Sequence, residues 1–379
     1  ECKLCGMIEP LSRELYKKSL AIHHIDYNKD NCNEDNLITT CLACNVRVNS
    51  NREYWKVYFG LKKPTVCIVI PTIRTDRINT FLNVWEQELK DYTILLIEDR
   101  EEKEIVVENK NYKNIIHLCH QDIDKELGEK AWIISRQASA VCSYGFYKAW
   151  KMGFDVIIKM DDDILLRDLN FVDSHLKQLY KPRPLHWLNT FVGGYPRGFP
   201  YAERTNPTVL NYGLADYVLD YDAQTQILKK TYRLRNDLDS IPYGVLAPIC
   251  GMNIAFVRDI VPALYFGLQG DKYNLDRYDD IWAGIFLKKI TDLLGDVISI
   301  GEPIITHSRL SNPQISLDKE AGGMLFNELF YKQVEEMKLN KTLTTYKSAY
   351  KSLANKLSLP DKEYEKLLKN AMNTWADLF

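Results

Sequence analysis

Long apolar runs are missing from this sequence: no stretch approaches the roughly 20 residues that a membrane-spanning helix needs, and no signal-peptide pattern is visible. Net charge is nearly missing too, at −2 from 49 Lys and Arg against 51 Asp and Glu. No global field therefore draws the chain to nucleic acid or to an anionic membrane, and any DNA contact needs a local patch. Repeats and low-complexity tracts are absent. A secreted disulfide framework is absent as well, because four of the nine cysteines fall in two CxxC pairs and the others are scattered; that usage suits a reducing compartment and metal-bound thiolates. What remains is 379 residues, 46% hydrophobic and 26% charged, enough for two or three domains with full cores. The bulk expectation is a soluble cytoplasmic protein.

The most informative positive feature is Asp161-Asp162-Asp163, directly after the apolar run Val156-Ile157-Ile158-Lys159-Met160. A buried strand ending in acids places hard oxygen ligands at the mouth of a sheet, where open α/β folds bind their substrates. Strand alternation puts Asp161 and Asp163 on one side and Asp162 on the other. Two carboxylates on one side suit Mg²⁺ or Mn²⁺, and such an ion suits the diphosphate of a nucleotide-sugar. A solvated turn is the bland alternative.

Cys2-Lys3-Leu4-Cys5 and, about forty residues later, Cys41-Leu42-Ala43-Cys44 have zinc-site spacing. So short a segment buries too little apolar surface to fold alone, which motivates a structural Zn²⁺ on these four thiolates. Between the pairs run His23-His24-Ile25-Asp26 and Asn36-Leu37-Ile38, with Asn45 following Cys44. Residues 2 to 59 thus resemble the zinc-ribbon branch of the HNH endonucleases, found widely in phage and mobile elements. The resemblance implies a small ββα module in which His24 is the general base, His23 and Asn45 hold a catalytic metal, and Asn36 orients His24. Asn45 departs from the His that many members carry there, and a module that only grips DNA or a partner is the alternative. DNA as a partner and a phage-encoded chain acting in the host cytoplasm are implied by this likeness alone.

Lys62-Lys63-Pro64 reads as a linker. Residues 66–70 read as a buried strand stopped by Pro71, 93–97 as a second strand ending at Glu98-Asp99, and 78–90 as a helix carrying Ile78, Phe81, Leu82, Trp85 and Leu89. This order, continued to 156–160, predicts a parallel α/β sheet, with Arg74, Asp99 and Asp161 to Asp163 beyond the carboxyl ends of its strands.

A series of motifs then follows in order: Ile70-Pro71-Thr72-Ile73-Arg74, Leu127-Gly128-Glu129-Lys130-Ala131, the Asp triplet, Gly194-Tyr195-Pro196, and Asp220-Tyr221-Asp222-Ala223-Gln224-Thr225-Gln226. After these come Cys250-Gly251-Met252-Asn253-Ile254-Ala255-Phe256, Tyr265-Phe266-Gly267-Leu268, Arg277-Tyr278-Asp279-Asp280-Ile281-Trp282-Ala283-Gly284 and His307-Ser308. From about residue 65 to 330 the chain resembles the plant reversibly glycosylated polypeptides and UDP-arabinopyranose mutases. The resemblance implies a GT-A-like (Rossmann-like) fold and a metal-dependent UDP-sugar site. It puts Arg74 and Asp99 on uridine, Lys130 on phosphate, Asp161 and Asp162 on the nucleotide, and Asp163, Asp161 and His307 on Mn²⁺ or Mg²⁺. Asp280, with Asp279, is the candidate catalytic base or sugar contact; the bland role of these acids is helix N-capping. One departure stands out: the Arg expected before the aromatic–glycine pair is replaced by Cys142, read here as inert, ahead of Ser143-Tyr144-Gly145.

Beyond about residue 327 the Lys- and Glu-rich tail, with Leu329, Phe330, Val334 and Met337 and then Tyr364, Leu367, Leu368, Met372 and Trp375, reads as two or three helices packing on the core or on another subunit. The expected organisation is a zinc/HNH-like module (1–60), a GT-A-like UDP-sugar domain (64–326) and a helical tail (327–379). The leading expected function is metal-dependent sugar transfer from a UDP-sugar, with phage DNA bases as the acceptor to test. UDP-arabinopyranose mutase is the first alternative, and a DNA nuclease or binder the second.

Overall fold

The computed structural model of the protein describes residues 1–191, 193–216, 221–228, 239–308 and 312–379. The N-terminal module comprises α1 (Glu9–Tyr16), the hairpin β1 (Ala21–His24) and β2 (Leu37–Thr40), α2 (Leu42–Ser50) and α3 (Arg52–Tyr58). The chain continues through β3 (Val66–Thr72), α4 (Thr75–Leu89), β4 (Thr93–Glu98), β5 (Asn114–Leu118), α5 (His120–Leu127), α6 (Cys142–Lys151), β6 (Val156–Met160), β7 (Ile164–Leu165) and α7 (Phe171–Leu179). Then come β8 (Thr208–Asp216), α8 (Ala223–Leu228), β9 (Asn253–Val257), α9 (Asp279–Leu294) and β10 (Val297–His307), and finally α10 (Pro313–Ala321), α11 (Met324–Glu336), α12 (Tyr346–Lys356) and α13 (Lys362–Ala376).

The large sheet has the order β5-β4-β3-β6-β9-β8-β10-β7. Its β5, β4, β3 and β6 are mutually parallel, and β8 and β10 run the same way. The expectation of a parallel sheet needs correcting in two places: β9 is antiparallel to both β6 and β8, and β7 is antiparallel to β10. Helices cover both faces, which is why β3 reads as a continuous apolar run and not as an alternation. Val66, Ile68 and Ile70 pack in one core with Ile78, Phe81, Leu82 and Trp85 of α4, while Cys67 and Val69 pack in the other with Tyr144 and Phe146 of α6.

Pro71 does not stop β3, which runs to Thr72 with Pro71 opposite Ile97. β6 accompanies β3 only as far as Val69, so beyond that point one side of β3 carries no ladder for a missing N–H to break. The tail helices belong to the main body: Trp375 Nε1 donates to Val261 O (3.1 Å), Tyr364 Oη donates to Leu268 O (2.7 Å), and both side chains sit in the large core cluster.

The N-terminal module docks at the amino ends of the sheet strands. Lys62 Nζ donates to Asp155 just before β6 (2.6 Å), and Tyr54 Oη accepts from Thr208 N at the start of β8 (3.4 Å) and donates to Leu179 O (3.1 Å). Arg204 Nη1 donates to Cys5 O (3.1 Å), and Arg47 Nη1 donates to Thr205 Oγ1 (3.0 Å). Among the described residues no helix is long and apolar enough to cross a membrane.

Candidate functional site

The carboxyl ends of β3, β6 and β10 and the start of α9 bring Arg74, Asp161 to Asp163, His307 and Asp280 to one region of the sheet edge. β6 ends at Met160, so strand alternation does not reach the acids, and each finds a different partner. Asp162 is nearly buried and braces β6 to β3: its Oδ2 accepts from Thr72 Oγ1 (2.6 Å) and its Oδ1 from Arg74 Nη2 (2.7 Å). Burial raises its pKa against the pull of Thr72 and Arg74. Asp163 lies 3.8 Å from His307 Nε2, and its carbonyl oxygen accepts from Ser308 N and Oγ. Burial opposes ionisation of Asp163, yet the bond and charge of His307, with Arg74 and Lys159, win and lower its pKa.

Asp161 does not join that pair. Its carboxylate accepts from Lys159 Nζ, an ammonium only 2% exposed. Burial disfavours the charge on Lys159, but the carboxylates of Asp161 and Asp280 prevail and hold it protonated. The expected grouping of Asp161, Asp163 and His307 is therefore seen as one pair, Asp163 with His307, and one acid held by a lysine. Sequence reasoning passed over Lys159, although a lone charge inside a strand's apolar run was the available signal.

Asp279 and Asp280 open α9, but neither is its N-cap; Tyr278 holds that position without a side-chain cap bond, so the capping role is corrected to first-turn placement in the field of the helix N-terminus. Asp280 Oδ2 accepts from Gly251 N (2.6 Å). A Cβ at Gly251 would lie 3.2 Å from Asp280 Oδ2 and 3.4 Å from Lys159 Nζ, so glycine here lets the two approach. Asp279 is buried, accepts from Ser139 Oγ, and has a raised pKa caused first by that burial.

Asp99 serves its own chain instead of standing open to a base. Its Oδ1 accepts from His120 Nε2 (2.7 Å) and Gln137 N (2.9 Å), and its Oδ2 from Ala138 N (2.9 Å), fixing the turn that delivers Ser139 to Asp279. Lys130 stands exposed on the 128–133 turn. Cys142 is fully buried and its thiol pKa is pushed up, chiefly by burial, which agrees with an inert role. Of the quoted motifs, Asp220 lies outside the described residues.

In the N-terminal module Cys2, Cys5, Cys41 and Cys44 are buried with all four sulfurs within 4.8 Å of one another. Thiolates at about 2.3 Å around a tetrahedral Zn²⁺ stand about 3.8 Å apart, and Cys5 and Cys41 are 3.7 Å apart. The donor set fits zinc. Among the described residues this is the group of three or more ligand side chains gathered closely enough for a metal. His23 is buried with Nε2 unpartnered, and Asn45 lies within hydrogen-bonding reach of its ring. Asn36 does not orient His24. Its amide donates to Asp26 Oδ1 (2.9 Å) and Asn31 O (2.7 Å) and accepts from Asp26 N (2.9 Å), pinning the 26–36 loop.

An α/β sheet with acids clustered at its carboxyl edge, beside the acidic start of a helix, is a framework on which enzymes bind their substrates. The comparisons make the class specific. The family described as "Reversibly glycosylated polypeptide" matches residues 61–379, and the chain belongs to that family. Its relatives include a probable UDP-arabinopyranose mutase 1 of Solanum tuberosum, 36% identical over 84% of this chain and 90% of that protein. UDP-arabinopyranose mutases 1 and 2 of Arabidopsis thaliana are 34% and 35% identical, again over 84% of this chain and over 93% and 92% of theirs. The family match runs to residue 379 and so takes in the tail helices.

Proposed function

We propose that this enzyme interconverts UDP-arabinopyranose and UDP-arabinofuranose on a GT-A-like domain. The observation that carries the proposal is the convergence of Arg74, Asp161 to Asp163, His307 and Asp280 at one carboxyl-edge crevice, in a chain that aligns with named mutases over most of its length. Sequence reasoning placed sugar transfer first and the mutase second; the relatives favour the reverse order.

Asp163 and His307 offer an oxygen and a nitrogen ligand for Mn²⁺ or Mg²⁺, and when bound the ion neutralises the diphosphate. The remaining work falls to side chains. Arg74, braced by Asp162, is the candidate nucleotide contact, and the exposed Lys130 is the candidate phosphate contact. Exchange of a six-membered for a five-membered ring changes which hydroxyl oxygen closes on the anomeric carbon. The bond from that carbon to the pyranose ring oxygen breaks as its bond to the C4 oxygen forms, the carbon gaining cationic character, and the proton lost by the C4 oxygen ends on the departing C5 oxygen. Asp280, fixed by Gly251 at the start of α9, serves as the proton acceptor, and Asp279 supports it from the buried side. UDP-arabinopyranose incubated with the protein and Mn²⁺, without acceptor, should yield the furanose isomer by chromatography. Free UDP with sugar on an added acceptor would establish transfer instead, and an unchanged nucleotide-sugar would reject both.

The N-terminal module has a second reading as an HNH-type nuclease acting on DNA, favoured by the unpartnered Nε2 of buried His23 beside Asn45. Nicking of supercoiled DNA with Mg²⁺, abolished by His24→Ala and retained in Asp163→Ala, is the required result. No nicking leaves the module as a zinc-bound structural element.

A further inference from the structure

Lys159 is unusual among the groups lining the crevice because it is a buried cation among acids and is assigned no part in the reaction. It is the fourth residue of β6, 2% exposed, and its ammonium donates to Asp161. It also lies against Gly251, whose backbone N–H holds Asp280. One ammonium thus stands between two carboxylates from distant parts of the chain, one following β6 and one opening α9. A buried ammonium persists only where carboxylates compensate it, and the compensation is mutual: an acid engaged by Lys159 is a poorer ligand for a second cation.

We infer that Lys159 is a positioning residue that withholds Asp161 from the divalent metal, leaving Asp163 and His307 as the protein's metal ligands and keeping Asp161 and Asp280 together beneath the sugar. This rests on the proposed metal-dependent UDP-sugar site. The geometry supports the division directly, since Asp163 is paired with His307 while Asp161 turns to Lys159. It also explains why three successive acids do not converge on one point. The charge stays near balance when the ion arrives, and the ion remains exchangeable instead of being locked in a cage of three carboxylates.

The test is a Mn²⁺ titration of the full chain with saturating UDP, following the electron paramagnetic resonance signal of free Mn²⁺. Lys159→Met should tighten Mn²⁺ binding about tenfold, the scale of one coupled charge, while turnover of UDP-arabinopyranose falls. Asp161→Asn alone should leave Mn²⁺ affinity within about twofold, because that acid is already engaged. The double variant should return to the affinity of the native protein. Lys159→Arg, which keeps the charge, should bind Mn²⁺ like the native protein and guards against a folding defect in the methionine variant. Unchanged or weaker Mn²⁺ binding in Lys159→Met with native circular dichroism, or a tenfold loss in Asp161→Asn, overturns the inference. Failure of the native protein to bind Mn²⁺ with UDP is a different result, and it rejects the parent reading as well.

Discussion

Asp162 and Asp163 are neighbours in the chain with separate duties: Arg74 and Thr72 engage the first, and His307 faces the second. Replacing Asp163 or His307 by alanine should weaken UDP-dependent Mn²⁺ binding at least about tenfold, measured by calorimetry, with the fold intact by circular dichroism. At this scale the sequence was legible where chemistry repeats a strong pattern. The four cysteines gather as their spacing predicts, and Arg74, the acid triplet and His307 lie together at the carboxyl edge, although Asp161 pairs with Lys159 and not with Asp163 and His307. The partners of Asp99, Lys159 and Asn36 were not legible, because they lie up to about forty residues away or depend on where a strand ends. A second residue-scale case is His175, fully buried between two amides. Its Nε2–H donates to Asn253 Oδ1 and its Nδ1 accepts from Asn211 Nδ2, both at 2.9 Å, which fixes a neutral tautomer. Burial lowers its pKa from 6.5 to about 3. Below pH 6.5 the unfolded chain takes up a proton that the folded one refuses, so the stability from this group is complete above pH 6.5 and drains away as pH falls toward 3. Between pH 7 and pH 5 it should account for about 2 kcal/mol of lost stability, and His175→Gln should remove that slope in urea melts.

Among the elements, α6 shows how tightly helix and sheet are fitted. A Cβ at Gly145 would come within 2.4 Å of Val69 Cγ1 on β3 and 3.2 Å of Ile97 Cγ1 on β4. Gly145→Ala should therefore destabilise the protein by about 1–3 kcal/mol through overpacking, despite alanine's better helix propensity; the check is a lower urea midpoint with an unchanged m-value. The existence of β3, β4, β6, α4 and the tail helices was legible from apolar runs and helical spacing. The direction of β9 and β7 was not. Periodicity reports which faces are buried and carries no information on which way a neighbouring strand runs. Pro71 was misread for a related reason: whether a missing N–H matters depends on whether a partner strand is alongside.

For the molecule as a whole, the four-cysteine module and the acid cluster occupy opposite ends of the same sheet. Lys62–Asp155 and Tyr54–Thr208 lie at the amino ends of β6 and β8, while Asp161 to Asp163 lie just past the carboxyl end of β6. Stripping the metal from the four-cysteine site should melt the first sixty or so residues at lower temperature than the rest, because so small a segment depends on its metal. The crevice should still bind UDP with affinity changed less than about threefold; a scanning calorimetry trace with and without chelator, paired with UDP titrations, separates the two effects. The CxxC spacing revealed the close four-cysteine cluster, but the docking did not show in the sequence, since its contacts join residues 5 to 62 to partners near 155, 180 and 205.

This arrangement has a consequence for how such a protein is assembled over generations. The end of a sheet that does no chemistry is ground on which a new segment can be grafted without disturbing turnover. A different N-terminal module joined there would leave the proposed site at the carboxyl edge untouched, and hybrids joined near Lys62 should be the first to keep their activity.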